Sequence, residues 1–409
     1  MNIFTISDIP GLLQIINNVP TGTDSSVETF EKYYSVTEYS TKLDDKYKII
    51  KYNKDLLSSD LIGTYGLLRS VIINSENKVV SFAPPKSVLT EDFFKKFSKK
   101  TEDIIAQDFV EGTMINVFYD HKIQCWKIAT RNTIDAEVSF YKNNITGTKE
   151  TGTKETGKTF KKMFEEACKE NNLIIDTLNP QFCYSFVLQH PDNRIVVPFK
   201  RPQLYLVEVY EIIQLEQSVN IITQNLSLVR SHGSWNMTSI RFPETYEFTT
   251  YSELIDKFAS ANTPYDIMGI VIKNLKTNER TKIRNPIYEE VRHLKGNHPK
   301  LQYQYLHLRK NGKLPEYLKY YPENKKSFAV IRDKVHLFTN TLHTNYLACY
   351  VKKEKPLNEY EAQYKTHMYK IHEIYKNELI PSKLFVTNTI VQKYVNNLEP
   401  ALLFYSMKL

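Results

Sequence analysis

Apolar runs broken by turn-forming residues fill residues 65–286, whereas beyond residue 300 the apolar positions recur every three or four. The first pattern predicts strands joined in hairpins. Residues 67–74 and 79–82 flank the turn Ser75-Glu76-Asn77-Lys78, and Ala83-Pro84-Pro85 ends the pair because proline cannot donate to a sheet ladder. Residues 114–119 and 126–133 form a second hairpin, closed near residues 120–122. Residues 183–198 read as two strands about the turn His190-Pro191-Asp192-Asn193, and residues 204–213, 266–273 and 279–286 read as further strands.

Helices punctuate this region. A short helix entry is expected at residues 9–17, one helix at 160–167, and another at 287–294, where Asn285 caps, Pro286 fits the first turn and Gly296-Asn297 ends it. In the last quarter Phe328, Ile331, Val335, Phe338, Leu342 and Tyr346 share one helical face, as do Tyr364, Met368, Ile371 and Tyr375, with Pro356 and Pro381 between helices. Such stripes are core rather than binding surface. The expected domains are an N-terminal segment (1–60), a strand-rich domain (61–300, with a surface insert at about 143–158) and a basic helical domain (301–409).

Composition narrows the class. The chain has 409 residues, 41% hydrophobic and 24% charged, which is ordinary globular usage. Cys125, Cys168, Cys183 and Cys349 lie far apart with no C-x-x-C spacing, so neither a zinc site nor a disulfide framework is indicated. No apolar run is long enough to span a bilayer and the start lacks the basic region of a secretory signal, so no membrane association is expected and the location should be soluble and intracellular.

The net charge of +8 is concentrated at one end, because residues 301–409 hold 17 Lys or Arg against 9 Asp or Glu while residues 1–300 balance. Tyr303, Tyr305, Tyr317, Tyr320, Tyr321, Tyr360, Tyr364, Tyr369 and Tyr375 lie among those basic residues. Lysines neutralise phosphates and aromatic faces stack on unpaired bases, so residues 301–409 are a candidate arm for RNA or DNA. The plainer alternative is a helical module whose tyrosines pack inward and whose lysines are solvated.

Two stretches carry candidate chemistry. The tandem Thr146–Glu150 and Thr151–Glu155 repeat creates Gly152-Thr-Lys-Glu-Thr-Gly157-Lys158-Thr159, a formal match to a phosphate loop. The residues before it form no buried strand, so coincidence is the preferred reading, with a phosphate-loop NTPase kept as the lesser alternative.

The second stretch is Phe109-Val110-Glu111-Gly112, which leads into the strand at residue 114. With Arg69-Ser70 and Ser81-Phe-Ala-Pro-Pro-Lys86 before it, Arg131 and Asn193-Arg194-Ile195-Val196-Val197 after it, and Met268-Gly269-Ile270-Val271 and Lys282-Ile283-Arg284 further on, it resembles the ATP-dependent RNA ligases of the nucleotidyltransferase superfamily, bacteriophage type. Those enzymes carry Lys-x-Asp-Gly where this chain has Phe109-Val110-Glu111-Gly112, and their lysine attacks the α-phosphate of a nucleotide. The resemblance implies an α+β nucleotidyltransferase fold, ATP-grasp-like, with antiparallel sheets, followed by an α-helical C-terminal domain.

The same resemblance implies that Arg69, Lys86, Glu111, Gly112, Arg131, Lys282 and Arg284 face a nucleotide or its phosphates. ATP with Mg is the cofactor implied for a pocket that functions. The family's nucleophile position is Phe109, and two positions for supporting carboxylates are Val187 and Met268. Lysyl-nucleotidyl transfer needs an amine that can lose its proton, so no catalytic residue and no metal ligand is assigned. The expectation is a catalytically silent, degenerate member acting in nucleic-acid binding or as a virion-associated component, with other viral proteins as further candidate partners. An active ligase with another nucleophile is the alternative. The abundance of Lys, Asn, Ile and Tyr and the sequence as a whole resemble ligase-like proteins of large double-stranded DNA viruses, which puts the expected location in the host cytoplasm or the virion.

Overall fold

A computed structural model describes residues 2–17, 32–41, 45–140 and 158–409. The described residues of 1–140 and 156–290 form one compact unit and those of 291–409 a second. The insert at about 143–158 and most of the formal phosphate loop fall outside the described residues; Lys158 and Thr159 fall within them.

The first unit is built from β1 (Asn2–Thr5), β2 (Tyr34–Ser40), β3 (Lys46–Tyr52), β4 (Val71–Asn74), β5 (Val79–Phe82), β6 (Ile104–Asp108), β7 (Thr113–Asp120), β8 (Cys125–Ala129), β9 (Phe182–Gln189), β10 (Gln203–Gln214), β11 (Val219–Thr223), β12 (Thr245–Tyr246), β13 (Gly269–Asn274) and β14 (Arg280–Arg284). They make a six-stranded sheet ordered β1-β11-β10-β9-β7-β8 and two four-stranded sheets ordered β12-β6-β13-β14 and β2-β3-β4-β5. The ladders are antiparallel throughout. The α+β class with antiparallel sheets and a helical C-terminal region is therefore the observed one.

Burial follows composition strand by strand. The run Phe-Cys-Tyr-Ser-Phe-Val-Leu-Gln of β9 is buried on both faces, as expected of a strand with little alternation. One side of the six-stranded sheet packs Phe118, Cys183, Tyr210 and Ile221 against Ile49, Ile50, Ile72 and Phe82 of the β2–β5 sheet. On the other side Ile115, Phe186, Leu204 and Leu206 meet Met163, Phe164 and Ala167 of the helix Phe160–Glu170. The β6–β13–β14 sheet has its own core of Ile104, Ala106, Ile270 and Ile272 under Phe93, Leu254 and Phe258.

Several expectations change. Residues 1–60 are no separate segment, because β1 pairs with β11 and β2 and β3 extend the β4–β5 hairpin. The strand expected over residues 67–74 begins at Val71; Tyr65–Leu67 is a 3-10 turn whose Gly66 carbonyl accepts the Lys86 N–H at 2.9 Å. Residues 130–133 turn rather than extend β8, since Thr130 N–H donates to the Thr133 carbonyl. Residues 194–198 are not a strand. Their amides are taken by a side chain, as shown below.

The second unit is helical, with Leu301–Lys310, Leu314–Tyr320, Lys325–Tyr346, Ala362–Ile374, Asn388–Asn397 and Pro400–Ser406 as its α-helices. Phe328, Ile331, Val335, Phe338, Leu342 and Tyr346 are all buried, as are Tyr364, Met368 and Ile371. Of the nine tyrosines interleaved with lysine, Tyr305, Tyr317, Tyr321, Tyr360 and Tyr364 are core residues. Packing, not base stacking, accounts for those five.

Asp120 ties two sheets together. It is 1% exposed, and its carboxylate accepts from Tyr47 Oη (2.7 Å), Asn74 Nδ2 (3.0 Å) and Lys122 N–H (3.0 Å). Burial, then the Asp120 contact, pushes the Tyr47 hydroxyl pKa far up, so it stays a donor. Asp120→Ala leaves two buried donors without an acceptor, each costing about 1–3 kcal/mol. We expect a urea midpoint lowered accordingly with an unchanged slope; a shift of a few tenths of a kcal/mol would show that this tie is dispensable.

Candidate functional site

Alternation places side chains at i, i+2 and i+4 on one face of a strand. Along β14 those positions are Arg280, Lys282 and Arg284, so a single short strand brings three cations to one surface. The turn before β4 and the proline-rich exit from β5 supply Arg69 and Lys86. Arg69, Lys86, Lys282 and Arg284 line one cleft of about 330 Å³ together with Tyr52, Ser87, Val88, Leu89 and Thr90. Four of the seven candidate residues thus meet in space although they come from three separate stretches.

A fifth stands behind them. Arg131 lies over the Tyr52 ring, 4.9 Å from its centroid, and its Nε donates to the Arg69 carbonyl at 3.4 Å. It braces the wall of the cleft. Phe109 follows β6, and its ring lies beneath two of the cations, with Lys282 Nζ 4.7 Å and Arg284 Cζ 5.3 Å from the centroid.

The remaining two candidates do other work. Glu111 is 4% exposed, and its carboxylate accepts the Val196 and Val197 amides at 3.0 and 3.1 Å. Those are the donors a strand at 194–198 would have given to a sheet, which is why that strand is missing. Gly112 has φ +149, and a Cβ there would stand 2.5 Å from the Leu188 carbonyl oxygen and 2.6 Å from Val187 Cγ1. Its glycine is required by the approach of β9 rather than by a ligand.

The electrostatics of the cleft are one-sided. Burial and then Arg280 lower the Arg69 pKa to about 10, which leaves it charged at neutral pH. Burial and then Arg69 lower that of Lys86. Lys282 is shifted most, well below the usual lysine range, by burial first and then by Arg280, Arg69, Arg284 and Lys86. Glu208, buried on β10, binds Lys273 Nζ at 2.9 and 3.0 Å and stands 3.8 Å from Arg280, so its charge is committed behind the cleft. Glu289 meets Arg284 at the rim, at 2.8 Å.

The donor set does not fit a metal held by the protein. The lining residues carry no carboxylate or imidazole, and among the described residues no group of three or more His, Cys, Asp or Glu converges on a metal-sized site. Val187 and Met268 occupy the two positions where the resemblance implies carboxylates. The residues reasoning from sequence missed are Tyr52, for which no local signal exists, and Arg280, which the i, i+2, i+4 spacing with Lys282 and Arg284 could have disclosed. Lys158 of the formal phosphate loop pairs with Glu166 (2.9 Å) and Asp192 (2.8 Å), and Thr159 caps the helix that follows it. Among the described residues no helix is long and apolar enough to cross a membrane.

Two consequences can be measured. Because Lys282 has a lower pKa folded than unfolded, its protonation weighs on stability fully below the folded pKa, and the burden lifts as pH climbs from there to about 10.4, the unfolded value. Lys282→Met should therefore stabilise the protein toward denaturant at neutral pH, with the gain shrinking toward about pH 10; a gain independent of pH would contradict the shift. Glu111→Ala should cost about 1–3 kcal/mol and speed hydrogen exchange at Val196 and Val197, and unaltered exchange there would remove its structural role.

No protein family's sequence profile matches the chain. Over 284 residues it is 26% identical to "RNA ligase" of Rhodothermus phage RM378, covering 62% of this chain and 58% of that protein's length. Over 332 residues it is 25% identical to "Immediate-early protein ICP-46 homolog" of Invertebrate iridescent virus 6, covering 74% of this chain and 67% of that one. Among solved structures, an archaeal ATP-dependent RNA ligase matches with a TM-score of 0.42 at 12% identity over 79% of this chain and 72% of its own, and a Naegleria gruberi RNA ligase mutant with ATP and Mn matches at 0.34 and 13% over 50% and 56%. By sequence the chain is similar to a phage RNA ligase, of which it spans somewhat over half the length, and to an iridovirus protein.

Proposed function

We propose that the cleft binds the phosphates of a nucleoside triphosphate, with ATP the first candidate, and that lysyl-nucleotidyl transfer does not run through position 109. The observation that carries this reading is the convergence of Arg69, Lys86, Lys282 and Arg284 on one open cleft whose lining holds no carboxylate. Cations crowded into a small volume, with Glu289 at the rim pairing Arg284, repel one another, and a polyanion relieves that repulsion. The sequence likeness to a phage RNA ligase supports a nucleotide as the polyanion. On this reading the protein is a pseudoenzyme with respect to the family's own lysine, and it acts by holding nucleotide or nucleic-acid phosphate rather than by joining ends through residue 109. Any Mg would arrive on the triphosphate.

A second reading, an active ligase working through a different amine, is favoured by one observation: Lys282 Nζ reaches over the ring of Phe109.

Calorimetric titration of the full chain at low salt tests the first reading. ATP and inorganic tripolyphosphate should both bind, more weakly as salt screens the cleft. Lys86→Ala and Arg284→Ala should each lose about 1.5–3 kcal/mol, the worth of a hydrogen bond to a charged group, which is roughly ten- to a hundredfold in Kd. Absence of binding by both anions at low salt would defeat the proposal.

A further inference from the structure

We propose that Lys282 is the nucleophile of this cleft, its amine attacking the α-phosphorus of a nucleoside triphosphate whose phosphates lie among Arg69, Lys86 and Arg284. The inference rests on the cleft being a polyphosphate site and adds to it a covalent step.

The geometry begins with strand order. β6 and β14 flank β13. Ile270 of β13 faces Asp108, and Val271 faces Lys282. Phe109 therefore lies near the level of Gly269 and Arg284, and Lys282 stands two residues along β14, diagonally across β13 from it. The Lys282 side chain reaches diagonally across β13, whose Gly269, paired with Arg284, carries no side chain. The amine is thereby delivered to a point 4.7 Å above the Phe109 ring.

Its surroundings separate it from the other buried lysines. Lys273 is paired with Glu208 and Lys127 with Asp135. Lys86 donates to the Ser87 carbonyl at 3.3 Å. Among the described residues Lys282 has no hydrogen-bond or ion-pair acceptor, only the Phe109 ring and neighbouring cations. An ordinary lysine with a pKa near 10.4 is neutral roughly once in 2,500 molecules at pH 7. Desolvation beside other cations is the known physical route to a lysine that is neutral, and so nucleophilic, near neutral pH, and Lys282 is shifted in that direction.

The step balances without an oxidant or a reductant. The Nζ lone pair forms a bond to the α-phosphorus, and the bond from that phosphorus to the bridging oxygen breaks. Pyrophosphate leaves with the electron pair. The nitrogen sheds one proton to water through the open mouth of the cleft, giving a phosphoramidate and free pyrophosphate. The guanidinium groups of Arg69 and Arg284 offset the charge that develops on the leaving group.

The full chain is incubated with α-labelled ATP and Mg2+, and the denatured protein is assayed for bound label and mapped by mass spectrometry. A label stable to alkali, labile to acid, and located on Lys282 is expected. Lys282→Arg should lose it, while calorimetry on the same variant reports whether ATP still loads. Pyridoxal 5′-phosphate followed by borohydride, which traps neutral amines beside anion sites, should mark the same lysine without any nucleotide. ATP binding with no adduct, or an adduct on another residue, overturns this inference and leaves the polyphosphate cleft standing. No binding of either ATP or tripolyphosphate at low salt overturns both.

Discussion

Like charges held close together are the constraint from which the rest of the cleft follows. Two unit charges about 5 Å apart at an effective dielectric near 20 repel by roughly 3 kcal/mol, and Arg69, Lys86 and Lys282 are each lowered in pKa by burial and then by neighbouring cations, Lys282 by Arg280, Arg69, Arg284 and Lys86 together. The framework opposes that repulsion from behind. Glu208 clamps Lys273 and draws Arg280 back, Arg280 Nη2 donates to the Pro85 carbonyl at 2.7 Å, and the Lys86 amide is fixed on Gly66. Of the cations that line the cleft, Arg284 is also held by Glu289 at the rim and Lys86 by the Ser87 carbonyl.

Phe109 beneath the cations is apolar, and the residues that line the cleft with Arg69, Lys86, Lys282 and Arg284 carry no carboxylate. A carboxylate beside Lys282 would hold its proton on; without one, burial and neighbouring cations push the other way.

In the helical unit a basic composition has a different meaning. Tyr305, Tyr317, Tyr321, Tyr360 and Tyr364 are consumed by packing, with rings such as Tyr317 and Tyr321 stacked 4.7 Å apart. Its polar interior is equally self-contained: buried His367 lies 2.8 Å from both Tyr394 Oη and Ser406 Oγ. The lysine excess lies outside that interior, since among the described residues no lysine of 301–409 is buried.

Local pattern alone was enough for most of the secondary structure. The β4–β5 and β7–β8 turns, the Asn285-Pro286 helix start and the stripe from Phe328 to Tyr346 depend on neighbours within a few residues, which is the range over which periodicity and capping operate. The order of short motifs was also enough to nominate Arg69, Lys86, Lys282 and Arg284 together. Tertiary structure decided what each one meets. Glu111 finds its donors 85 residues away, at Val196, and so holds a loop instead of a ligand. Asn2–Thr5 and Lys46–Tyr52 become strands because β11 and β4 offer edges to them. Lys282 crosses to Phe109 because β13 pairs with both β6 and β14. None of these follows from the residues alone, since strand pairing joins positions distant in the chain, and a side chain's electrostatics are set by whatever that pairing places beside it.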